Sequence, residues 1–461
     1  MKVNLNQAEA IVEELEASYE DLIVENQDLN RKLVSYQNSK RLPVSRWFKY
    51  KEGFSAELVE YCLDATRVSQ GPVLDPFAGS GTTLFTANRL GMDSIGVEIL
   101  PIAQEIIHVQ ELALSSGSKK LAAGIRAFLA AESWKTQGKE VEISELNEIP
   151  ITKGAYSAEN KISLERYLAS LEGEEQTLAR ILRFAALSIL ESISFTRKDG
   201  QFLRWDYRSG RSRGKSETGF DKGRIWEFDE AIAVKLTEIA EDLESFSFKP
   251  EKDRVSLVKG SVLREASQIA HGSVSAVVTS PPYLNRYDYT RTYALELAFL
   301  GLGNDEVKSL RQELLSATVE NREKDLVTSD EAFIIARSVL EEIPAYKACR
   351  GYLFGLAERG ELNNPGIARM FEGYFTELSA TLVHVSRIMQ KDAPFVMVND
   401  NVRYGGLAIP VDLILSEVVK KLGLETEVIW VLPNKKGNSS QQMGVHGRLP
   451  LRKCVYVWRK L

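Results

Sequence analysis

The spacing of apolar positions changes repeatedly along this chain, and each change marks an element. Residues 5 to 38 hold neither Gly nor Pro, and Ala8, Val12, Leu15, Tyr19, Leu22, Asn26, Leu29, Leu33 and Tyr36 recur alternately four and three apart. That heptad predicts a coiled-coil helix over residues 1–40, with Asn26 at a seam position where a buried amide sets register and partner number. A parallel homodimer or a partner-binding coil would follow; the alternative is one long helix lying across its own domain. Pro43 ends the pattern, and an amphipathic helix runs from Ser55 to Thr66. Val73 and Leu74 then read as a short buried strand, and Leu84 to Leu90 return to helical spacing. Further strands are expected at Ser94–Glu98, Val255–Lys259, Ala276–Thr279 and Pro394–Val398. A closing antiparallel pair is expected at Thr426–Leu432 and Cys454–Trp458, and helices over 262–272, 293–300, 371–389 and 410–422. Two helical stretches, 111–250 and 301–370, are too long for simple crossovers and read as insertions. The core is thereby divided into 41–110, 251–300 and 371–461. Strands alternating with helices place the chain in the α/β class, as a Rossmann-like, mostly parallel sheet covered on both faces.

The candidate chemistry sits where two of these strands end. Asp75-Pro-Phe-Ala-Gly-Ser-Gly-Thr-Thr83 joins a strand to a helix. Gly79 and Gly81 remove Cβ atoms where a ligand must lie against the backbone, and they permit angles other residues resist. The helix start offers free N–H groups and a partial positive charge. The dinucleotide spacing G-x-G-x-x-G is absent, since Thr82, Thr83 and Leu84 follow Gly81, and there is no phosphate-loop Lys. Glu98, near the end of the next strand, stands about 20 residues on, where an acid can grip a ribose hydroxyl pair. Far down the chain, Thr279-Ser-Pro-Pro-Tyr283 ends a β-branched strand. Two prolines fix a rigid exit and leave carbonyls pointing outward. The Ser280 hydroxyl and the Pro281 carbonyl are acceptors able to converge on one amino group, and Tyr283 can cover a flat ring. A purely structural Pro-Pro turn is the bland alternative, weakened here by the nucleoside-type loop upstream.

Together these stretches resemble motifs I and IV of the S-adenosylmethionine-dependent DNA amino-methyltransferases, and the resemblance covers the chain after Arg41 with two large insertions. It implies a Rossmann-like class I methyltransferase sheet, S-adenosylmethionine as cofactor and double-stranded DNA as substrate. By resemblance, Asp75, Phe77, Ala78, Gly79, Ser80, Gly81, Thr82, Thr83, Glu98, Ile99 and Thr279 form the cofactor site. Phe54 and its neighbours, just before motif I, would flank the methionine moiety. Ser261 stands where members commonly carry an Asp toward the adenine amino group of the cofactor; a hydroxyl can still accept that bond. Ser280, Pro281, Pro282 and Tyr283 would be catalytic. Ser-Pro-Pro-Tyr leans toward cytosine N4, whereas Asp-Pro-Pro-Tyr is the usual adenine N6 form. The cofactor loop precedes the catalytic loop, the reverse of many relatives with an Asp-Pro-Phe motif, so the chain looks circularly permuted, and the 111–250 insertion falls where a target-recognition region would. A cognate restriction endonuclease is a partner expected from the family. The alternatives are an adenine N6 enzyme of the same fold, a non-catalytic DNA-binding scaffold subunit and, more weakly, an RNA-directed enzyme.

Composition narrows where DNA could be held. Lys and Arg number 58 against 64 Asp and Glu, a net charge of −6, which argues against an overall basic coat. The exception is Phe195 to Lys215, where Arg197, Lys198, Arg204, Arg208, Arg211, Arg213 and Lys215 outnumber Asp199 and Asp206, with Phe202, Trp205 and Tyr207 between them. Basic residues neutralise phosphates and aromatics stack on bases, although a solvated charged loop has the same composition. Asn285, Arg286, Tyr287 and Arg291 leave the catalytic strand and are candidates for the target nucleotide. The polar 433–448 loop offers Lys435, Lys436 and Arg448 to the DNA backbone. Cys62, Cys349 and Cys454 lack CxxC spacing and read as reduced core thiols. His108, His271, His384 and His446 lack ligand spacing, so no metal is expected. With no signal peptide or long apolar span, a cytoplasmic location is expected.

Overall fold

A computed structural model describes residues 3–115, 117–136, 145–199, 203–211, 219–245, 254–325, 329–433 and 451–461. Among these, strands β1 (Ile23–Glu25), β2 (Val73–Asp75), β3 (Ser94–Glu98), β6 (Val255–Lys259), β7 (Ala276–Thr279), β8 (Pro394–Asp400), β11 (Leu424–Val431) and β12 (Lys453–Lys460) form one sheet. Its order is β1-β11-β12-β8-β7-β2-β3-β6. Every neighbouring pair is parallel except those made by β12, which runs antiparallel to both β11 and β8. Two ribbons lie outside the sheet: β4 (Thr196–Lys198) with β5 (Leu203–Trp205), and β9 (Val402–Tyr404) with β10 (Leu407–Ile409).

The period of two along each strand sends alternate side chains to opposite faces. Val73, Ala276, Val278, Val396, Val398, Val455 and Val457 pack on one face with α2 (Ala56–Ala65) and α3 (Thr82–Arg89). Leu74, Val277, Phe395, Met397, Tyr456 and Trp458 point the other way. There they meet α1 (Leu5–Ser18), α11 (Glu331–Glu342), α12 (Pro344–Glu358), α13 (Gly366–Ile388) and α14 (Val411–Lys421). Both faces are therefore covered, as the near-continuous apolar runs of β7 and β8 require. The first insertion builds a second core from α4 (Pro101–Ser115), α5 (Ser118–Ala131), α6 (Ala158–Ala169), α7 (Gln176–Ile193) and α8 (Phe228–Ser245). Trp47 and Phe48 from the lead-in segment, and Tyr293 to Phe299 around α9 (Ala294–Phe299), belong to that same core. The insertion is thus tied to the catalytic half of the chain rather than hung from it. The cysteines Cys62, Cys349 and Cys454 are free and buried.

The N-terminal coiled coil is overturned. The helix stops at Ser18, and the chain turns through Glu20–Leu22 into β1, which pairs in parallel with β11 at Ile23↔Ile429, Val24↔Trp430 and Glu25↔Val431. The heptad's apolar side chains find partners inside the chain: Ala8, Val12, Leu15, Tyr19 and Leu22 join the core under α12 and α14, while Leu29 and Leu33 join the opposite face. Asn26 is no register device, for its N–H continues the β1 ladder to the Val431 carbonyl at 3.0 Å and its amide donates to Tyr61 Oη at 2.7 Å. The physical reason is the edge of β11, a row of unpaired N–H and C=O groups that an added strand satisfies and a helix cannot. The seam offered to a homodimer is spent within the monomer, and the closing pair β11–β12 lies one strand in from the edge.

Candidate active site

The carboxyl ends of β2, β3, β6 and β7 open onto one cleft, the position at which an open α/β sheet receives a ligand. The loop after β2 contributes Asp75, Phe77, Ala78, Gly79 and Ser80, with Thr82 at the start of α3. Glu98 and Ile99 come from the end of β3, Ser261 from the exit of β6, and Ser280 and Pro282 from the exit of β7. Phe54 enters from the lead-in segment. Two positive-φ residues shape the loop: Gly79 at +53° and Gly81 at +79°, the latter at the N-cap of α3. A Cβ on Gly79 would stand 3.1 Å from the Tyr50 ring, so only glycine lets that ring close down on the loop.

Two carboxylates organise the backbone around this cleft. Asp75 is buried, and its Oδ1 accepts from Thr279 Oγ1 at 2.6 Å and the Phe77 N–H at 3.1 Å. Glu98 accepts from the Gly79 N–H at 2.7 Å through Oε2 and from the Leu100 N–H at 2.7 Å through Oε1. Burial pushes the Asp75 carboxyl up to about 6 and that of Glu98 up to about 7, against the hydrogen bonds that favour their charged forms. Thr83 donates to the Val278 carbonyl at 3.1 Å, stitching α3 to the strand that carries the second motif. The two motifs, distant in sequence, are hence bolted together by Thr83–Val278 and Asp75–Thr279.

Beyond β7, Ser280 Oγ donates to Tyr283 Oη at 3.1 Å, which leaves the serine lone pairs open to donors. Tyr404 Oη donates to the Leu284 carbonyl at 2.8 Å and holds the loop at the position where Arg286 adopts a φ of +66°. Strained backbone of this kind persists where its surroundings over-determine it.

Not every expected residue faces the cleft. Gly81, Thr83 and Thr279 lie behind it as braces, while Pro281 is buried and Tyr283 half-buried outside its lining. Ser261 lines the cleft, but its hydroxyl donates to the Glu313 carbonyl at 3.2 Å. Tyr287 turns inward to donate to Glu52, and Arg291 is paired with Asp288 at 3.3 Å and Glu320 at 3.2 Å. Lys198 is a correction. Its ammonium is buried against Glu296 at 2.5 Å, between the rings of Tyr293 and Phe48, and is out of reach of a phosphate. A lysine is buried only when paired, and the partner that satisfies it sits 98 residues away.

Within the described part of the basic segment, β4 and β5 pair as an antiparallel ribbon, and Arg208 and Arg211 follow it. Arg197 and Arg204 are cross-strand partners, both exposed, and Arg204 stacks 4.2 Å from the Phe220 ring. Arg208 is held by Asp206 at 2.7 Å, and Arg211 lies 4.5 Å from the half-buried Trp205 ring while donating to the Pro150 and Ile151 carbonyls. Arg213 and Lys215, like Lys435, Lys436 and Arg448, lie outside the described residues.

The cleft also contains residues that sequence spacing missed: Tyr50, Glu52 and Tyr289, together with Leu314 and Leu315 at the end of α10 (Asn304–Glu313). The last two come from the second insertion, which is therefore part of the cleft wall. For Tyr50 and Glu52 the only signal was the aromatic character of the stretch before motif I. Among the described residues no group of three or more His, Cys, Asp and Glu side chains gathers to hold a metal, and no helix is long and apolar enough to cross a membrane.

A parallel sheet whose glycine loop, strand-end acid and Ser-Pro-Pro-Tyr exit share one cleft has the architecture of a class I methyltransferase. A family model described as DNA methylase matches residues 10–108. The chain is 43% identical over 453 residues to the type II methyltransferase M.AvaI of Nostoc sp. strain PCC 7120, covering 97% of this chain and 92% of that protein. It is 38% identical over 477 residues to the type II methyltransferase M.BsoBI of Geobacillus stearothermophilus, covering 97% and 91%. No solved structure matches it. The chain belongs to the type II DNA methyltransferases of restriction–modification systems, and its methyl donor is S-adenosylmethionine. The cleft suits that donor: among the described residues its lining holds Asp75, Glu98 and Glu52 but no Lys, Arg or His, and the cofactor carries net positive charge. Flat apolar walls from Phe77, Ile99, Val262, Leu263, Leu314 and Leu315 suit an adenine ring.

Proposed function

We propose that this enzyme methylates the exocyclic N4 amino group of cytosine at a specific site in double-stranded DNA, as the modification partner of a restriction endonuclease. One observation carries the reading: Ser280 and Pro282 line the same cleft as the Asp75–Ser80 loop and Glu98, so the catalytic exit opens directly onto the cofactor site. The serine form of the catalytic motif favours cytosine N4 over adenine N6.

A base inside a duplex hides its amino nitrogen, so the target is flipped toward this loop. S-adenosylmethionine supplies an electrophilic methyl group. Tyr283 stacks on the flipped ring, while Ser280 Oγ and the Pro281 carbonyl accept the two N–H bonds of the amino group. That arrangement directs the nitrogen lone pair at the methyl carbon. A serine hydroxyl is too weak a base to take the proton first, so the proton leaves after transfer. Orientation and charge placement then supply most of the rate. Glu98 accepts the ribose hydroxyls, and Asp75 with Thr279 keeps the two motif loops in register. The exposed guanidiniums of Arg197 and Arg204 support phosphate contact: they stand opposite one another across the ribbon, where like charges repel, and the exposed Asp199 at 3.4 Å from Arg204 offsets that only in part.

The test is incubation with plasmid DNA and methyl-labelled S-adenosylmethionine, followed by digestion to nucleosides. Label on N4-methylcytosine is expected. Label on N6-methyladenine would overturn the base assignment and keep the mechanism; no labelled DNA with cofactor still bound would favour a non-catalytic subunit.

A further inference from the structure

One charged side chain of the cofactor cleft comes neither from a motif nor from a strand end. Glu52 lies in the lead-in segment, and its two carboxylate oxygens each accept one tyrosine hydroxyl, Tyr287 on Oε1 and Tyr293 on Oε2. Both hydroxyls are held well above the usual tyrosine range, first by burial and then by the negative charge of Glu52, so they remain protonated donors. Tyr293 is itself immobilised. It is fully buried, stacked on Tyr50 with centroids 5.5 Å apart and planes 9° from parallel, and covered on a face by the Lys198 ammonium at 4.5 Å. This is a built carboxylate, set by two donors on a rigid aromatic frame rather than left on a mobile surface chain.

Its hydrogen-bonding capacity is not exhausted. An ionised carboxylate offers about four acceptor sites, and the tyrosines occupy one on each oxygen. The cleft it lines contains two further carboxylates and, among the described residues, no cationic side chain. The bound cofactor brings two cationic groups. The sulfonium has no hydrogen to donate, whereas the methionine α-ammonium has three. A carboxylate with open acceptor sites, in a cleft whose described lining holds no cation, matches the second.

We propose that Glu52 is the anchor for the α-ammonium group of S-adenosylmethionine, held in place by the hydroxyls of Tyr287 and Tyr293. This rests on the assignment of the cleft as the cofactor site, and the test separates the two. Calorimetric titration of wild type and Glu52→Gln with S-adenosylmethionine, S-adenosylhomocysteine and 5′-methylthioadenosine uses ligands that share the nucleoside but not the amino-acid end. Glu52→Gln keeps an oxygen for a tyrosine to donate to and removes the charge. It should weaken both amino-acid-bearing ligands by a similar factor of about 10 to 100, the value of a hydrogen bond to a charged group, and leave 5′-methylthioadenosine within about twofold. Tyr293→Phe should give the same pattern at smaller amplitude. Loss confined to S-adenosylmethionine would mean that Glu52 faces the sulfonium and overturns the proposal. Equal weakening of all three would mean that the tyrosine frame, not the anchor, was damaged, and unchanged binding of all three would remove the anchor; each overturns it. Wild-type protein that binds none of the three would refute the cleft assignment itself.

Discussion

The cofactor cleft and the β4–β5 hairpin both drew notice as charged sequence, and they use charge in opposite ways. In the cleft, Asp75, Glu98 and Glu52 face a common space whose described lining holds no cation. On the hairpin and the turn after it, Arg204 has Phe220 and Asp199, Arg208 has Asp206, Arg211 has Trp205 and two carbonyls, and Lys198 is buried on Glu296. The difference follows from what surrounds each group. A carboxylate at the end of a buried strand is turned by the sheet toward the ligand space and can be neutralised only by backbone donors or by the ligand. An arginine on an exposed ribbon is long enough to find a local acceptor or ring, and it gives up little by doing so. Uncompensated charge in a cleft therefore indicates a ligand more strongly than a count of cations on a surface.

The largest effect expected separates chemistry from binding inside the cleft. Ser280→Ala or Pro281→Ala should lower methyl transfer by about 10²- to 10³-fold while the dissociation constant for S-adenosylmethionine stays within about twofold. Single-turnover labelling beside calorimetry measures both, and equal loss of binding and transfer in a folded protein would break the division. Next, Glu296→Leu alone should destabilise the protein by about 3–5 kcal/mol, because it leaves the Lys198 ammonium buried and unpaired. Adding Lys198→Met should recover most of the loss in a denaturant melt, which would place Lys198 in the fold rather than on DNA. On the outer side of the same strand, Arg197→Ala with Arg204→Ala should reduce the salt dependence of DNA affinity by about one unit of slope per lost phosphate contact. Cofactor affinity should not change.

The smallest effect sharpens the comparison through pH. Asp75 and Glu98 titrate near 6 and 7 in the folded protein, against ordinary values of 3.8 and 4.5. Between those limits the folded state holds more protons than the unfolded one, so the cofactor-free protein loses stability as pH rises through the window. Ribose hydroxyls donate better to a charged Glu98, so S-adenosylmethionine should bind several-fold more tightly at pH 8 than at pH 6. Glu98→Gln should flatten that dependence, and an unchanged profile in the variant would remove Glu98 from the effect.

The sequence by itself determined the parts whose chemistry is local. Asp75 to Thr83 and Thr279 to Tyr283 are strand-loop segments whose glycines, prolines and acid dictate their own backbone, so motif and conformation coincide. The near-continuous apolar runs of β7, β8 and β12 likewise announced a sheet buried on both faces. Tertiary structure decided everything that depended on a distant partner. The heptad of residues 5–38 specifies an apolar stripe but not what covers it, and the open edge of β11 with the groove under α12 won that stripe from a coiled coil. Lys198 looked like its basic neighbours until Glu296 was brought beneath it. Glu52, Leu314 and Leu315 carried no spacing signal, because a cleft wall assembled from separate segments has no period in any of them. Local backbone chemistry is written residue by residue, whereas burial and pairing are properties of the packed whole.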